Sequence, residues 1–190
     1  NLKSLSLLSI GAFRKRFNID LSIPSILITF HPETVAFEKN EEYIHELIAA
    51  LWEISGYQFV ITMPNADTMG NMIRDQLTNF VEVNQNAVSV ESLGALGYLS
   101  CMKYCTMMLG NTSSGFVEAA FFPKYVINIG ERQSGRIISP NICNCKIDKN
   151  EIIKAVNNFK RKQVPEKIHI YGDGTAASKI VSLLKNISGD

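Results

Sequence analysis

At 190 residues the chain has the length of one domain and can bury a sizeable core. A hydrophobic share of 46% and a charged share of 19% suit an ordinary soluble α/β protein. Nineteen basic against eighteen acidic residues leave a formal charge of +1, which argues against nucleic acid and acidic membranes as partners.

The longest apolar runs are strand-sized, too short to cross a bilayer. No signal peptide opens the chain, so the expected location is cytoplasmic. The chain begins at Asn1 rather than Met, which suggests a fragment or a trimmed chain. Cysteines fall as Cys101 with Cys105 and Cys143 with Cys145, at i,i+4 and C-x-C spacings that match no recognised zinc pattern. They read as buried or half-exposed thiols, and neither metal nor cofactor is expected.

Residues 3–17 carry Leu5, Leu8 and Phe13 at near-helical spacing and end on Arg14-Lys15-Arg16, a basic last turn suited to a helix C-terminus. Pro24 then precedes Ser25-Ile26-Leu27-Ile28-Thr29-Phe30, a continuous apolar run that predicts a central strand covered on both faces. From Asn40 to Ser55, Ile44, Leu47, Ile48, Leu51 and Trp52 recur at three and four, an amphipathic helix stopped by Gly56. Gln58–Met63 reads as the second strand, Pro64-Asn65-Ala66-Asp67 as a turn, Met69–Leu77 as the second long helix and Phe80–Val83 as a short third strand. Helical spacing resumes from Ser92 to Tyr104 despite Gly94 and Gly97, and Met107–Leu109 is the fourth strand. A helix is expected from the Asn111 loop to about Phe122, stopped by Pro123, then a fifth strand from Tyr125 to Ile129 and a loop from Arg132 to Pro140. Asp148–Lys160 is helical, and Gly172-Asp173-Gly174 turns the chain into a last helix with Ile180, Leu183, Leu184 and Ile187 as its apolar stripe. Strands alternating with helices predict an α/β, doubly wound parallel sheet. With strand order 3-2-1-4-5, the first and fourth strands are neighbours at the topological switch point, and their C-terminal ends carry His31 and the Asn111 loop.

That loop is the most informative stretch. In Leu109-Gly110-Asn111-Thr112-Ser113-Ser114-Gly115-Phe116-Val117-Glu118 an apolar run ends in two glycines bracketing hydroxyl and amide side chains. Followed by a helix, it would converge several backbone N–H groups on one point, as phosphate sites do. The plainer alternative is that Asn111 to Ser114 cap a helix. Glu118, one turn on, could reach a sugar hydroxyl beside the phosphate or merely complement the helix dipole. His31 supplies a cationic or proton-donating imidazole suited to a phosphate leaving group. Arg132, past the fifth strand on the same sheet edge, could bind phosphate or stack beside a base, or simply pair with Glu131.

These residues also carry a resemblance. Gly110-Asn111-Thr112-Ser113-Ser114-Gly115, then Glu118, then Val126 through Arg136, resemble the nucleotide-site signature of hydrolysing UDP-N-acetylglucosamine 2-epimerases. Thr29-Phe30-His31-Pro32, Pro64-Asn65-Ala66-Asp67 and Ile170-Tyr171-Gly172-Asp173-Gly174 match further blocks of that family in order. The match covers nearly the whole chain but only the second half of the family's usual length. It implies the C-terminal half of a glycosyltransferase-B-like two-domain fold: a lead-in helix and inter-domain segment at 1–24, a Rossmann-like UDP-binding domain at 25–174, and a C-terminal helix at 175–190 packing toward an absent N-terminal domain. By the resemblance, His31, Ser113, Glu118 and Arg132 fall on positions that hold UDP, with Thr112, Ser114, Gly115, Asn65 and Ser92 beside them. His31 is the catalytic candidate in this half. Thr112 stands where Ser is common and keeps the hydroxyl.

The implied reaction is anti-elimination of UDP from UDP-N-acetylglucosamine, then water addition, giving UDP and N-acetylmannosamine. The implied partners are the UDP-sugar and the N-terminal domain, with a homo-oligomer left open; the catalytic acids are expected mainly in that other half. A diacetylbacillosamine-type sugar remains an alternative, as does the UDP-sugar donor domain of a glycosyltransferase. A flavodoxin-like signalling receiver is the non-enzyme alternative. It needs acidic residues after its first and third strands, where this chain has Thr29-Phe30-His31-Pro32 and Asn84-Gln85.

Overall fold

The computed structural model of the chain describes residues 5–33, 37–65, 68–122, 124–160, 162–163, 170 and 175–187. Ala66, Asp67, Pro123 and Tyr171 to Gly174, all named above, lie outside these residues.

The first helix, α1 (Ile10–Phe17), starts where the Ser9 Oγ accepts the Ala12 N–H at 3.2 Å and ends on Asn18, which adopts the left-handed conformation at φ 56°. It leads into β1 (Ser25–Thr29), all five residues of which are buried. Then come α2 (Asn40–Glu53), β2 (Gln58–Thr62), α3 (Thr68–Val83), β3 (Ala87–Val90), α4 (Gly94–Tyr104) and β4 (Met107–Gly110). After β4 the chain forms β5 (Tyr125–Ile129), β6 (Ile142–Cys145), α5 (Lys149–Lys160) and α6 (Ala176–Ile187). The six strands pair in parallel in the order β3-β2-β1-β4-β5-β6. This is the doubly wound order, and it differs from the 2-1-3-4-5 order of a receiver.

Alternation along β1 divides the core. Ile26 and Ile28 face a layer with Ile44 and Leu47 of α2, Ile73 and Leu77 of α3, and Ile152 and Val156 of α5. Leu27 faces the other layer, with Phe13 of α1, Met102 of α4, Met108 and Phe116. Side chains one residue apart on a strand point to opposite faces, so one continuous apolar run fills both layers.

Several expectations are corrected. Phe80–Val83 belongs to α3, because Phe80 continues the inward face of Ile73 and Leu77 and packs its ring against Phe59. The third strand starts later, after a turn in which Asn84 accepts the N–H groups of Asn86 and Ala87. No α-helix follows the Asn111 loop: the chain makes two 3-10 turns, Ser113–Gly115 and Ala119–Phe121. Hydroxyl side chains compete for the backbone there, as when Thr112 Oγ1 accepts the Ser114 N–H, and the turns seat Phe116 and Ala119 in the core. A sixth strand, unforeseen, extends the sheet beyond β5. Trp52 is 54% exposed, its ring edge-on to Phe80, rather than fully inward. On α6, Ile180, Leu183 and Leu184 of the apolar stripe are exposed. Among the described residues no helix is long and apolar enough to cross a membrane.

Candidate functional site

The site forms where β1 and β4 lie side by side, with Thr29 paired to Gly110. Gly110 has a φ of 148°, and a Cβ on it would lie 1.9 Å from the Thr29 carbonyl oxygen. The strands therefore approach too closely for any other residue at this point. Immediately beyond, the fully buried Asn111 side chain clamps the backbone of His31: its Oδ1 accepts the His31 N–H at 2.8 Å, and its Nδ2 donates to the His31 carbonyl at 2.8 Å. Its own carbonyl accepts Gln133 Nε2 at 2.9 Å. One asparagine thus joins the end of β1, the end of β4 and the loop that carries Arg132.

Thr112, Ser113 and Ser114 are half-buried at this junction. Thr112 and Ser114 line a cavity of about 370 Å³ together with Ser92, Leu93, Gly94 and Tyr98. Ser113 and Arg132 both line a second cavity of about 520 Å³, with Gln133, Ser134 and Arg136. Tyr98 of α4 steadies the first cavity, its hydroxyl 3.3 Å from Thr29 Oγ1, which is 2.7 Å from Thr62 Oγ1. Burial pushes the Tyr98 hydroxyl above its ordinary pKa, hydrogen bonds to Thr29 and Ser114 lower it, and the nearby Glu118 charge adds to the rise. Tyr98 is therefore a neutral hydroxyl at physiological pH, able to donate or accept.

Glu118 does not sit one turn into an α-helix. It precedes the second 3-10 turn, half-buried and within electrostatic range of Tyr98. With only short turns here, a long helix dipole contributes nothing to anion binding, and any such binding rests on the local N–H groups, the hydroxyls and Arg132. Gly115 is buried, and a Cβ on it would come within 2.7 Å of Val126 Cγ1, so it lets the turn settle on β5. Asn65 is exposed on the loop after β2, beside Pro64, whose carbonyl accepts Arg74 Nη1 at 2.8 Å. His31, Asn65, Gly115 and Glu118 are not among the described linings of the two cavities.

Sequence reasoning missed Asn111 as a clamp, Gln133 and Tyr98 as supports, and Glu33. Only Asn111 carried a signal, its place between Gly110 and the hydroxyl run. A larger cavity, of about 800 Å³, lies beyond the 130–136 loop at the ends of β5 and β6 and is lined, among the described residues, by none of the predicted site residues.

The model of the UDP-N-acetylglucosamine 2-epimerase family matches residues 7–185. The chain belongs to that family. Among the family's curated members, it is 32% identical over 163 residues to the GDP/UDP-N,N'-diacetylbacillosamine 2-epimerase (hydrolyzing) of Campylobacter jejuni, covering 85% of this chain and 42% of that one. It is 27% identical over 175 residues to the UDP-N,N'-diacetylbacillosamine 2-epimerase (hydrolyzing) of Legionella pneumophila, covering 92% of this chain and 46% of that one. The UDP-GlcNAc 2-epimerase of Neisseria meningitidis, solved bound to UDP-GlcNAc, superposes with a TM-score of 0.76 at 18% identity, over 97% of this chain and 51% of that one. The fold is therefore the glycosyltransferase-B-like one of these epimerases, and the chain spans about half the length of the relatives it matches. The five blocks of the resemblance, from Thr29 to Gly174, fall within the matched span.

Proposed function

We propose that this chain is the C-terminal, UDP-binding half of a hydrolysing UDP-sugar 2-epimerase, and that UDP lies across the ends of β1 and β4. The observation that carries the reading is the clamp by Asn111, which brings His31, the Thr112 to Ser114 hydroxyls and the Arg132 loop to one junction from three separate parts of the chain. In this reading Ser113 and Arg132 hold the phosphates, Ser92 and Thr112 line the nucleoside side, Asn65 borders it, and Glu118 bonds the ribose. His31 supplies positive charge or a proton to the departing diphosphate.

The reaction that goes with it takes a proton from C2 of the sugar while the bond from C1 to the UDP oxygen breaks, leaving a glycal to which water then adds. The base that takes the C2 proton belongs to the other half of the protein. The Campylobacter and Legionella relatives favour a diacetylbacillosamine-type sugar over N-acetylglucosamine as substrate. A glycosyltransferase donor domain would share the architecture, but the family match favours the epimerase.

Titration calorimetry with UDP tests the site. Losing a group that hydrogen-bonds a charge costs about 1.5–3 kcal/mol, so Arg132→Ala or Glu118→Ala should weaken binding by about ten- to a hundredfold. His45→Ala, on the exposed face of α2, should change little. The 190-residue chain alone should release no UDP from UDP-N-acetylglucosamine above background. Wild-type affinity in both site variants would refute the nucleotide site, and turnover by this chain would refute the division of labour.

A further inference from the structure

We propose that Glu33 is a positioning residue for Arg132: its buried carboxylate fixes the 130–132 loop so that the Arg132 side chain meets the nucleotide in the cavity it lines with Ser113. This rests on the UDP reading of the site and assigns a role to a residue outside the nucleotide contacts named there.

Glu33 is only 4% exposed, and its Oε1 accepts the N–H groups of Glu131 at 3.2 Å and Arg132 at 3.1 Å. Gly130 makes room for it: φ there is 75°, and a Cβ would lie 2.5 Å from the same oxygen. The backbone of Glu33 is itself held from behind. The Glu33 N–H donates to Asn40 Oδ1 at 2.7 Å, and Asn40 Nδ2 donates to the Glu33 carbonyl at 2.9 Å, with Asn40 fully buried at the start of α2.

Two successive N–H groups after a left-handed glycine form a concavity that attracts anions. Here the protein's own carboxylate fills it. A buried negative charge beside a diphosphate site would otherwise be unfavourable, but one already engaged by two N–H groups is compensated locally. Filling the concavity from within leaves recognition on this loop to the Arg132 guanidinium, whose backbone the carboxylate fixes. His31 and Glu33 are two residues apart, so a single short segment both offers the imidazole and anchors the arginine loop.

The test uses the 190-residue chain as wild type, Glu33→Gln and Glu33→Ala. Amide hydrogen exchange by NMR should accelerate at Glu131 and Arg132 by about ten- to a hundredfold in Glu33→Ala and by less in Glu33→Gln, which keeps an acceptor and the packing. Exchange at Ile26, Leu27 and Ile28 should stay unchanged in the Gln variant. UDP affinity should fall about tenfold in Glu33→Ala, yet change less than about twofold when the same substitution is made on Arg132→Ala. Unchanged exchange at 131 and 132 in both variants overturns the proposal, as does an equal loss of UDP affinity with and without Arg132. If wild type binds no UDP, the nucleotide reading fails by itself, and the exchange measurement still decides whether Glu33 holds the loop.

Discussion

Replacing Gly110 by Ala would place a methyl carbon 1.9 Å from the Thr29 carbonyl oxygen and 2.7 Å from its carbon, on the backbone of the neighbouring strand. Carbon and oxygen normally approach no closer than about 3.3 Å, so the overlap exceeds an ångström and cannot be relieved by rotating a side chain. The φ of 148° adds strain for any residue with a Cβ. Overpacking costs about 1–3 kcal/mol and an unfavourable backbone conformation about 1–3 kcal/mol, which together give roughly 4 kcal/mol. For a domain of this size each kcal/mol moves the melting temperature by about 2–4 °C, so the midpoint should fall by roughly 8–16 °C. Calorimetric or circular-dichroism melting measures this directly. Gly11→Ala is the control: no atom lies within 4 Å of its Cβ, and it sits in α1, where Ala is favoured over Gly by about 1 kcal/mol. A Gly110→Ala midpoint within about 3 °C of wild type would refute the claim that β1 and β4 meet backbone to backbone at this point.

Asn111→Ala should cost about 2–4 kcal/mol, since it removes two hydrogen bonds to the half-buried His31 backbone together with a fully buried side chain; urea unfolding that finds less than about 1 kcal/mol would count against the clamp. The thiols give a pH test. Burial raises the Cys105 pKa to about 11 and that of Cys145 to about 12, and it also raises Cys101, so at pH 8 these groups stay protonated. Because only the thiolate is nucleophilic, iodoacetamide should label the folded chain at pH 8 far more slowly than the urea-unfolded chain, and equal rates by mass spectrometry would contradict that burial.

Periodicity alone located β1, β2, β4 and β5, the amphipathic α2 and α5, and the glycine-bracketed loop, because the residues that decide these elements are neighbours in sequence. A run such as Ile26-Leu27-Ile28 needs no partner to announce a strand covered on both faces. The extent of α3 was decided otherwise: Phe80 lies in a β-prone stretch, and its packing in the core, against Phe59 and beside Trp52, favours the helix there. The segment after Asn111 could have been a helix by composition. It folds into short turns because Phe116 and Ala119 must reach the core while the hydroxyls engage the backbone. At the site, sequence named His31, the hydroxyl loop and Arg132 as separate candidates, but the bonds that join them are between residues 80 apart, His31 to Asn111, and 99 apart, Glu33 to Arg132. No local pattern encodes such pairs. They exist because parallel strands bring their C-terminal ends to one edge of the sheet, where buried side chains must satisfy the backbone groups the strands leave unpaired.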